Sequence, residues 1–511
     1  MTRAAHQEAN VLRLKRLGID TYQEPVLYMG RSCPICRSEG WAAQARVRVT
    51  FDGRSILATL NVVTGVLLAD DEASLSDAAW TALGAPEGGL IALSHAPPVA
   101  SLSSLRAKVY GVTLEAGAID AIVRDVAAGA YSAIELAAFV TAFAGGRVTV
   151  AETIALTRAM VDTGNRLYWG RSPVVDKHCV GGLPGNRTSM IVVPIIAAAG
   201  LTIPKTSSRA ITSPAGTADA METVAPVDLD LAAMRRVVEH EGGCIVWGGR
   251  VRLSPADDII IGVERPLDID STAQLVASVL SKKAAAGSTQ VVIDVPIGPT
   301  AKIRSVEAAD ELEAMFDAVA ADLGLMLHVV RTDGRQPVGR GIGPALEARD
   351  VLGVLRGDAE APADLRARAL TLAGVGLEMG GVAPAGTGAD HAEALLVGGA
   401  ALRKFEAICA AQGGMREPPR AALTYPVHAT HAGRISGIDN RRLARIAKLA
   451  GAPDAAASGL ELHVALGAHV EPGTALFTVH AETSGELDYA RGYLTSNPQI
   501  IAVEEEEVNT P

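Results

Sequence analysis

Two short polar loops rich in glycine flank one hydrophobic segment between Asp176 and Glu222. The stretch contains DKHCVGGLPGNRTS, the apolar run IVVPIIAAAG and then KTSSRAITSPAGTADAME. Each loop leads into a helix-like pattern, so backbone N–H groups and small hydroxyls are expected to converge on an anion. Lys177 adds a full positive charge. The stretch predicts a phosphate site, against the alternatives of a capped helix with a solvated loop and, for His178, a structural histidine.

Composition narrows the classes of function. A chain of 511 residues is too long to fold around one hydrophobic core, so several domains are expected. A net charge of −11 without a block of basic residues argues against a broad nucleic-acid-binding surface. No apolar run reaches the roughly 18 residues of a membrane span, and the N-terminus lacks a signal-like apolar region. The five cysteines are scattered, which fits a reducing compartment. We expect a cytoplasmic protein that binds neither nucleic acid nor membrane.

The order of elements predicts a multi-domain α/β protein. Alternating residues at 45–51 and 55–63, separated by the turn signal Asp52-Gly53, indicate an N-terminal β barrel-like domain. Helical spacing follows, and strands alternating with helices then indicate a central α/β domain, whose sheet we expect to be mixed but largely parallel, before a small C-terminal α+β part. The predicted domains are residues 1–104 (β-rich), 105–167 with 255–290 (helical), 168–254 with 291–423 (α/β, phosphate-binding) and 424–511 (α+β).

Two further motifs carry weaker signals. Cys33-Pro-Ile-Cys36 has the spacing of half a zinc site, but no second pair follows. We interpret it as an exposed turn with two reduced thiols, the alternative being a metal shared across a dimer; no other metal site is expected. Gly339, Gly341 and Gly343 precede a helix, yet the full dinucleotide motif is absent, which favours a tight strand-to-helix turn.

Three motifs of the chain resemble those of a known family. KTSSRAITSPAGTADAME is similar to the signature S-x-R-x-x-x-x-x-x-G-T-x-D-x-x-E of the thymidine and pyrimidine-nucleoside phosphorylases. DKHCVGG resembles the phosphate loop of that family, and ASVLSKKAAAG at 277–287 extends the match. The resemblance spans roughly residues 105–490. With its extra N-terminal domain, the chain looks most similar to the longer branch that includes archaeal AMP phosphorylases and a bacterial type of thymidine phosphorylase.

The resemblance implies phosphorolysis, in which inorganic phosphate attacks the anomeric carbon of a (deoxy)ribosyl group and the base leaves. An oxocarbenium-like transition state needs a fixed anion on one face and a proton or positive charge at the leaving base. The implied phosphate ligands are Lys177, Cys179, Ser189, Ser207 and Thr217, and the implied catalytic residues are His178, Asp270 and Lys282. The implied nucleoside or nucleotide contacts are Gly182, Ser208, Arg209, Ala210, Ile211, Thr212, Ser213, Thr217, Ser278, Lys282 and Lys302.

Several positions depart from the family pattern and leave the substrate open. Cys179 stands where the family usually has serine, and Ser213 where the nucleoside enzymes usually carry histidine. Lys302 occupies a position at which AMP phosphorylases bind nucleotide. Asp270 matches a proposed proton donor, but it could equally cap the helix that starts at residue 271.

These implications lead to one expected function and two alternatives. We expect a phosphorolytic pentosyltransferase that uses inorganic phosphate as co-substrate and no cofactor. The reaction expected first is the conversion of thymidine and phosphate to thymine and 2-deoxyribose 1-phosphate. One alternative is a nucleoside 5′-monophosphate phosphorylase of AMP or CMP type that releases ribose 1,5-bisphosphate, and a lesser one is a non-catalytic nucleotide-binding or assembly protein. The expected partners are these small molecules and further copies of the chain, as a homodimer or larger homo-oligomer.

Overall fold

A computed structural model describes residues 10–22, 24–210, 213–267, 269 and 271–504. The chain divides into two compact units, one of residues 1–148 with 258–269 and one of residues 149–257 with 270–511. No helix in the described part of the chain is long and apolar enough to cross a membrane. The four domain boundaries predicted from the sequence remain predictions.

The first unit contains a closed six-stranded barrel. Its strands are β1 (Val11–Leu14), β2 (Val26–Gly30), β3 (Arg46–Phe51), β4 (Arg54–Val63), β5 (Glu72–Leu75) and β6 (Leu90–His95), in the order β1-β5-β2-β4-β3-β6. Asp52 and Gly53 adopt φ of 45° and 75° between β3 and β4, as a two-residue hairpin turn requires. The predicted strands and turn are confirmed.

Cys33 and Cys36 lie at α1 (Pro34–Ser38) beside this barrel. Both are free thiols, but both are buried, and Cys36 Sγ contacts the carbonyl oxygen of Trp41 at 3.3 Å. The prediction of an exposed turn was therefore wrong, because the short helix packs its thiols into the barrel core. Within the described residues, no cluster of three or more His, Cys, Asp or Glu side chains is placed to hold a metal.

Helices complete the first unit. They are α2 (Asp77–Leu83), α3 (Leu102–Val109), α4 (Ala116–Ala127), α5 (Ala133–Ala142) and most of the segment Pro255–Leu267. At the start of α5 the Ser132 hydroxyl accepts from the Glu135 N–H while the Glu135 carboxylate accepts from the Ser132 N–H. This capping box is the one that the S-x-x-E spacing predicts.

The second unit is built around five parallel strands. These are β7 (Val175–Cys179), β8 (Ile203–Ser207), β9 (Gly243–Trp247), β10 (Gln290–Ile297) and β11 (Met326–Asp333). Its first helices are α6 (Val150–Asp162), α7 (Ser189–Ala198), α8 (Thr217–Glu222), α9 (Leu231–Glu241) and α10 (Gly248–Val251). They are followed by α11 (Pro255–Leu267), which continues into the first unit, and by α12 (Thr272–Ala285) and α13 (Val306–Leu323).

Strand direction corrects the expectation of a mixed central sheet. β11, β10 and β7 pair in parallel, β8 and β9 pair in parallel, and a parallel bridge from Val174 to Thr202 joins the two sets. Each strand is followed by at least one helix before the next, which is the connection that parallel neighbours require. The carboxyl ends of these strands consequently lie along one edge, where the polar loops begin.

Four helices of the second unit follow β11, and two small antiparallel sheets with two further helices complete the unit. The four helices are α14 (Pro344–Arg356), α15 (Ala363–Met379), α16 (Gly388–Val397) and α17 (Ala400–Gln412). They pack around α7, which is buried on every side. One sheet has four strands and the other three, and all of their pairings are antiparallel.

The elements of the C-terminal part are shorter. They are β12 (Gly341–Ile342), β13 (Leu423–His428), β14 (Gly433–Ile438), α18 (Asn440–Leu449), β15 (Gly459–Leu462), β16 (His469–Val470), β17 (Ala475–Ala481), α19 (Ser484–Ser496) and β18 (Ile501–Glu504). Gly343 is the residue that caps α14 directly after β12. The predicted strand-to-helix turn is thus confirmed.

Candidate active site

The first loop (residues 180–188) begins where β7 ends. Lys177, on β7, is 1% exposed. Its Nζ donates to Thr188 Oγ1 at 2.7 Å and lies 3.8 Å from Asp294 Oδ2. Burial lowers the pKa of Lys177, and the Asp294 carboxylate opposes that shift. Since an ammonium has three N–H donors, the hydrogen bond to Thr188 leaves donors that can meet an anion at the strand end.

Asn186 orders the first loop from inside. Its Nδ2 donates to Asp294 Oδ2 at 2.9 Å and to Cys179 Sγ at 3.3 Å, and the Gly181 N–H also donates to that sulfur at 3.4 Å. Burial raises the pKa of Cys179 to about 11, so the thiol stays protonated at neutral pH. Cys179 therefore accepts hydrogen bonds from the loop and has only a weak S–H donor for a ligand.

Ser207 closes β8 beside this loop. An isolated parallel bridge between Val174 and Thr202 sets β7 and β8 side by side at their starts, and Ser207, like Cys179, is the last residue of its strand. The Ser207 hydroxyl is buried and has no hydrogen-bond partner among the described residues. A buried hydroxyl without a partner is costly, so this group is suited to a ligand that supplies an acceptor.

The second loop (residues 208–216) returns the chain from Ser207 to α8. Asp219 Oδ2 accepts from the N–H groups of Ala210 at 2.7 Å and Gly216 at 2.8 Å, which draws the two ends of the loop together. A Cβ at position 216 would lie 2.5 Å from the Ser208 carbonyl oxygen, so only glycine fits there. The G-T-x-D spacing of the sequence thus has a structural cause.

The other side chains of the second loop differ in their surroundings. Arg209 pairs with Asp219 at 3.2 Å and with Glu222, and its guanidinium lies 5.1 Å from the centre of the Trp247 ring. Ser208 is exposed, and Ser213 Oγ donates to the Ala215 carbonyl at 2.8 Å. The predicted contacts at Ile211 and Thr212 lie outside the described residues.

Arg187 connects the two loops, and the sequence reasoning missed it. Its Nη1 donates to Thr217 Oγ1 at 3.0 Å, its Nη2 donates to the Ala215 carbonyl at 2.9 Å, and its Nε donates to Glu347 Oε2. Glu347 is fully buried on α14 and also accepts from the Gly343 N–H at 3.0 Å. Burial raises the pKa of Glu347. The sequence did offer a signal for Arg187, since it is a charged residue within a loop of otherwise mostly small residues.

Helix α12 presents Ser278 and Lys282 on one face, as their four-residue spacing predicts. Both side chains meet Asp257, which is 1% exposed: Ser278 Oγ donates to Asp257 Oδ2 at 3.0 Å, and Lys282 Nζ lies 2.6 Å from the same oxygen. Asp257 was not predicted. Its position at the start of α11 is far from α12 in sequence.

A second buried ion pair ties α12 to β7. Lys283 Nζ lies 2.8 Å from Asp176 Oδ2, and both side chains are at most 1% exposed. Side chains alternate along a strand, so Asp176 and His178 share the face of β7 opposite to Lys177. Burial lowers the pKa of His178 well below its usual value, and the neighbouring ammonium groups, including that of Lys282, lower it further. His178 is therefore a neutral imidazole at neutral pH.

Lys302 lies against the first loop. Gly182 has φ +77°, and a Cβ there would lie 2.5 Å from Lys302 Cβ and 2.6 Å from its N–H nitrogen. The backbone of the Lys302 turn consequently packs directly on Gly182. This contact brings a predicted nucleotide residue beside the predicted phosphate loop.

The predicted residues fall into three groups. Lys177, Cys179, Gly182, Ser207, Thr217 and Lys302 come together at the first and second loops, with Ser189 as the first residue of α7. His178 lies within electrostatic range of Lys282, and Ser278 is joined to Lys282 through Asp257. Asp270 lies outside the described residues. The residues missed were Arg187, Asp257, Lys283, Asp294 and Glu347, whose partners are mostly distant in sequence.

Two family models match the chain. Residues 102–164 match the helical bundle domain of a glycosyl transferase family, and residues 171–402 match the α/β domain of that family. Among solved structures, the chain is similar to anthranilate phosphoribosyltransferase (TrpD) from Thermus thermophilus. That match has a TM-score of 0.52 at 22% identity and covers 60% of this chain and 99% of the other. At this identity the likeness concerns the fold alone.

Full-length relatives are much closer in sequence. A protein of Polaromonas sp. (strain JS666) named "Putative thymidine phosphorylase" is 64% identical over 97% of both chains. A protein of Acidovorax sp. (strain JS42) is 62% identical over 97% of both chains, and one of Hahella chejuensis is 57% identical over 98% of this chain and 99% of the other; both bear similar names. The chain therefore belongs to the thymidine phosphorylase group of this glycosyl transferase family and is a pentosyltransferase.

Proposed function

We propose that this enzyme catalyses phosphorolysis of the N-glycosidic bond of a pyrimidine (deoxy)nucleoside, converting thymidine and phosphate to thymine and 2-deoxyribose 1-phosphate. The observation that carries the proposal is the buried Lys177 ammonium near the end of β7, together with the Ser207 hydroxyl at the end of the neighbouring strand β8, which has no partner among the described residues. The names of relatives at 57–64% identity support the same reaction. A cytoplasmic, homo-oligomeric enzyme that needs no cofactor is part of the proposal.

Phosphate is assigned to the loop side of the site. Lys177 supplies a positive charge, and Ser207 and Ser189 supply hydroxyl donors. The Thr217 hydroxyl accepts a hydrogen bond from the Arg187 guanidinium, which orients it. The Thr217 hydroxyl proton is then directed away from Arg187, toward a ligand oxygen. A phosphate held in this way presents one oxygen to the anomeric carbon while its other oxygens stay fixed.

The leaving base is assigned to the α12 side. The base leaves with the electron pair of the glycosidic bond, and the positive charge of Lys282 would stabilise the negative charge that develops on it. Asp257 holds both Lys282 and Ser278 in place. The neutral His178 imidazole can donate or accept a hydrogen bond without adding charge. Asp270 remains a candidate proton donor on the sequence alone.

Release of free base tests the reaction directly. Purified enzyme is incubated with thymidine, uridine, AMP and CMP, with and without phosphate, and the base is measured by chromatography. We expect phosphate-dependent release of thymine from thymidine. Thermal stabilisation by these compounds without base release from any of them would contradict the enzyme proposal and support a non-catalytic binding protein.

Two neighbouring hydroxyls provide a matched test of the phosphate assignment. Thr206 and Ser207 are consecutive, both are buried, and neither hydroxyl has a hydrogen-bond partner in the described part of the chain. They point to opposite faces of β8. Ser207→Ala should raise KM for phosphate roughly ten- to hundredfold, the equivalent of about 1.5–3 kcal/mol for a hydrogen bond to a charged group. Thr206→Val should leave that KM unchanged, and equal effects would contradict the assignment.

One observation favours a nucleoside 5′-monophosphate as the alternative substrate. The backbone and Cβ of Lys302 pack on Gly182 of the first loop, to which phosphate is assigned, and this contact supports a role for the lysine in binding a second phosphate group. A 5′-phosphate on the sugar would be a suitable partner for that cation. If AMP or CMP releases base faster than thymidine, the alternative replaces the formal proposal and the assignment of the two loops stands.

A further inference from the structure

A cavity of about 440 Å³ lies on helix α14, outside the site described above. One wall is the face of α14 that carries Arg349 and Arg356, seven residues apart. The other wall is the segment 415–420, which contributes Arg416 and Arg420. A volume of this size is within the roughly 300–1,000 Å³ typical of small-molecule sites.

The lining of this arginine cavity is positively charged in an acidic protein. Four guanidinium groups face the two carboxylates of Asp358 and Glu417, while the whole chain carries a net charge of −11. None of the four arginines pairs with a carboxylate within 4 Å in the described part of the chain, whereas exposed arginines elsewhere do, such as Arg331 with Glu313. The lining thus carries four positive and two negative side chains, while Glu461 and Asp350 act on Arg349 from outside the lining.

Arg349 shows that the arrangement is built into the fold. It is half-buried, and its Nη2 donates to the main-chain carbonyls of Pro418, at 3.5 Å, and Pro419. These contacts hold the segment 415–420 against α14. Burial lowers the pKa of Arg349 and the neighbouring Arg420 lowers it further, while the carboxylates of Glu461 and Asp350 oppose the shift. Like charges held together at a partly buried position are unfavourable until an anion compensates them.

We propose that the arginine cavity binds a small anion with at least two negative charges, of the diphosphate or bisphosphate class. Guanidinium groups hold phosphate oxygens in pairs, and four of them around one cavity match two phosphate groups. The site is separate from the catalytic loops. Glu347, two positions before Arg349, points to the opposite side of α14, where it pairs with Arg187.

Binding of inorganic pyrophosphate tests the proposal. Titration calorimetry at fixed low ionic strength compares the wild-type chain with the double variant Arg356→Gln/Arg420→Gln, in which both replaced side chains are exposed and the fold is expected to persist. The matched control is Arg235→Gln/Arg236→Gln, which removes the same charge from an exposed face of α9. We expect at least tenfold weaker binding in the first variant and a change below twofold in the control.

A second variant separates this cavity from the catalytic site. Lys177→Met removes the cation assigned to substrate phosphate and should leave pyrophosphate binding at the arginine cavity intact. Loss of binding in Lys177→Met, or unchanged binding in Arg356→Gln/Arg420→Gln, would overturn the proposal. Tighter binding of a hexaglutamate peptide than of pyrophosphate would also overturn it, in favour of an acidic protein segment. Melting temperatures confirm that each variant is folded.

Discussion

Removal of the Glu347 charge should destabilise the second unit strongly. The Arg187 side chain is 10% exposed and that of Glu347 is fully buried. If either side chain is removed, water therefore has little access to solvate the charge of the other. Glu347→Gln keeps the shape and the acceptor for the Gly343 N–H, but leaves Arg187 without a counter-ion. Loss of one partner of a buried pair costs about 3–5 kcal/mol, and the retained acceptor places this variant near 3 kcal/mol.

A double-mutant cycle separates the pair from its surroundings. Arg187→Met should cost at least as much as Glu347→Gln, because it also removes the hydrogen bonds to Thr217 and Ala215. The double variant Arg187→Met/Glu347→Gln retains neither charge of the pair and should be more stable than the sum of the two single losses predicts, by about 2 kcal/mol or more. Arg187→Met should also raise KM for phosphate, since the Thr217 hydroxyl loses the donor that orients it.

Urea unfolding followed by circular dichroism measures these differences. A chain with two compact units need not unfold in one step, so the midpoint of the same transition is compared in every variant. The exposed pair of Arg366 and Glu393 is the control, and Glu393→Gln should cost less than about 1 kcal/mol. A cost below about 1 kcal/mol for Glu347→Gln, with coupling indistinguishable from zero, would refute the reasoning.

Four further outcomes are expected. Lys177→Met should abolish phosphate-dependent base release, and an active variant would remove Lys177 from the mechanism; its melting temperature should also fall, because the buried Asp294 loses a charged partner. Lys302→Ala should impair turnover of AMP or CMP about tenfold more than that of thymidine, a difference of about 1.4 kcal/mol, and equal losses would contradict a 5′-phosphate contact. Burial raises the pKa of Asp350 to about 6, against about 3.9 in the unfolded chain. Protonated Asp350 therefore contributes fully to folding stability below about pH 4, and this contribution is lost as the pH rises to 6. The difference in unfolding free energy between the wild type and Asp350→Asn should fall over that window, and a constant difference would argue against this role. Because burial raises the pKa of Cys179 to about 11, iodoacetamide should alkylate it much more slowly at pH 8 in the folded than in the urea-unfolded chain, as peptide mapping can show.

Much of the local structure was predictable from the sequence. The β3–β4 hairpin follows from alternating residues around Asp52-Gly53, and the start of α5 follows from the S-x-x-E spacing. The two loops and the pairing of Ser278 with Lys282 on one helical face were also predictable, because turns, caps and helical faces depend on residues only a few positions apart. The mixed sheet and the exposed turn at Cys33 were wrong, since strand direction and burial depend on distant elements.

The sequence by itself determined the family, the two polar loops and the residue types available for an anion. Only the tertiary structure decided which partner each buried carboxylate has: Asp294 accepts from Asn186 across 108 residues, Glu347 pairs with Arg187 across 160, and Asp257 accepts from Ser278 across 21. The physical reason is that a buried charge is tolerable only beside a partner, and parallel strands and crossing helices bring together partners that no local pattern connects. The same packing gathered four arginines at α14, which the linear sequence keeps in two separate segments.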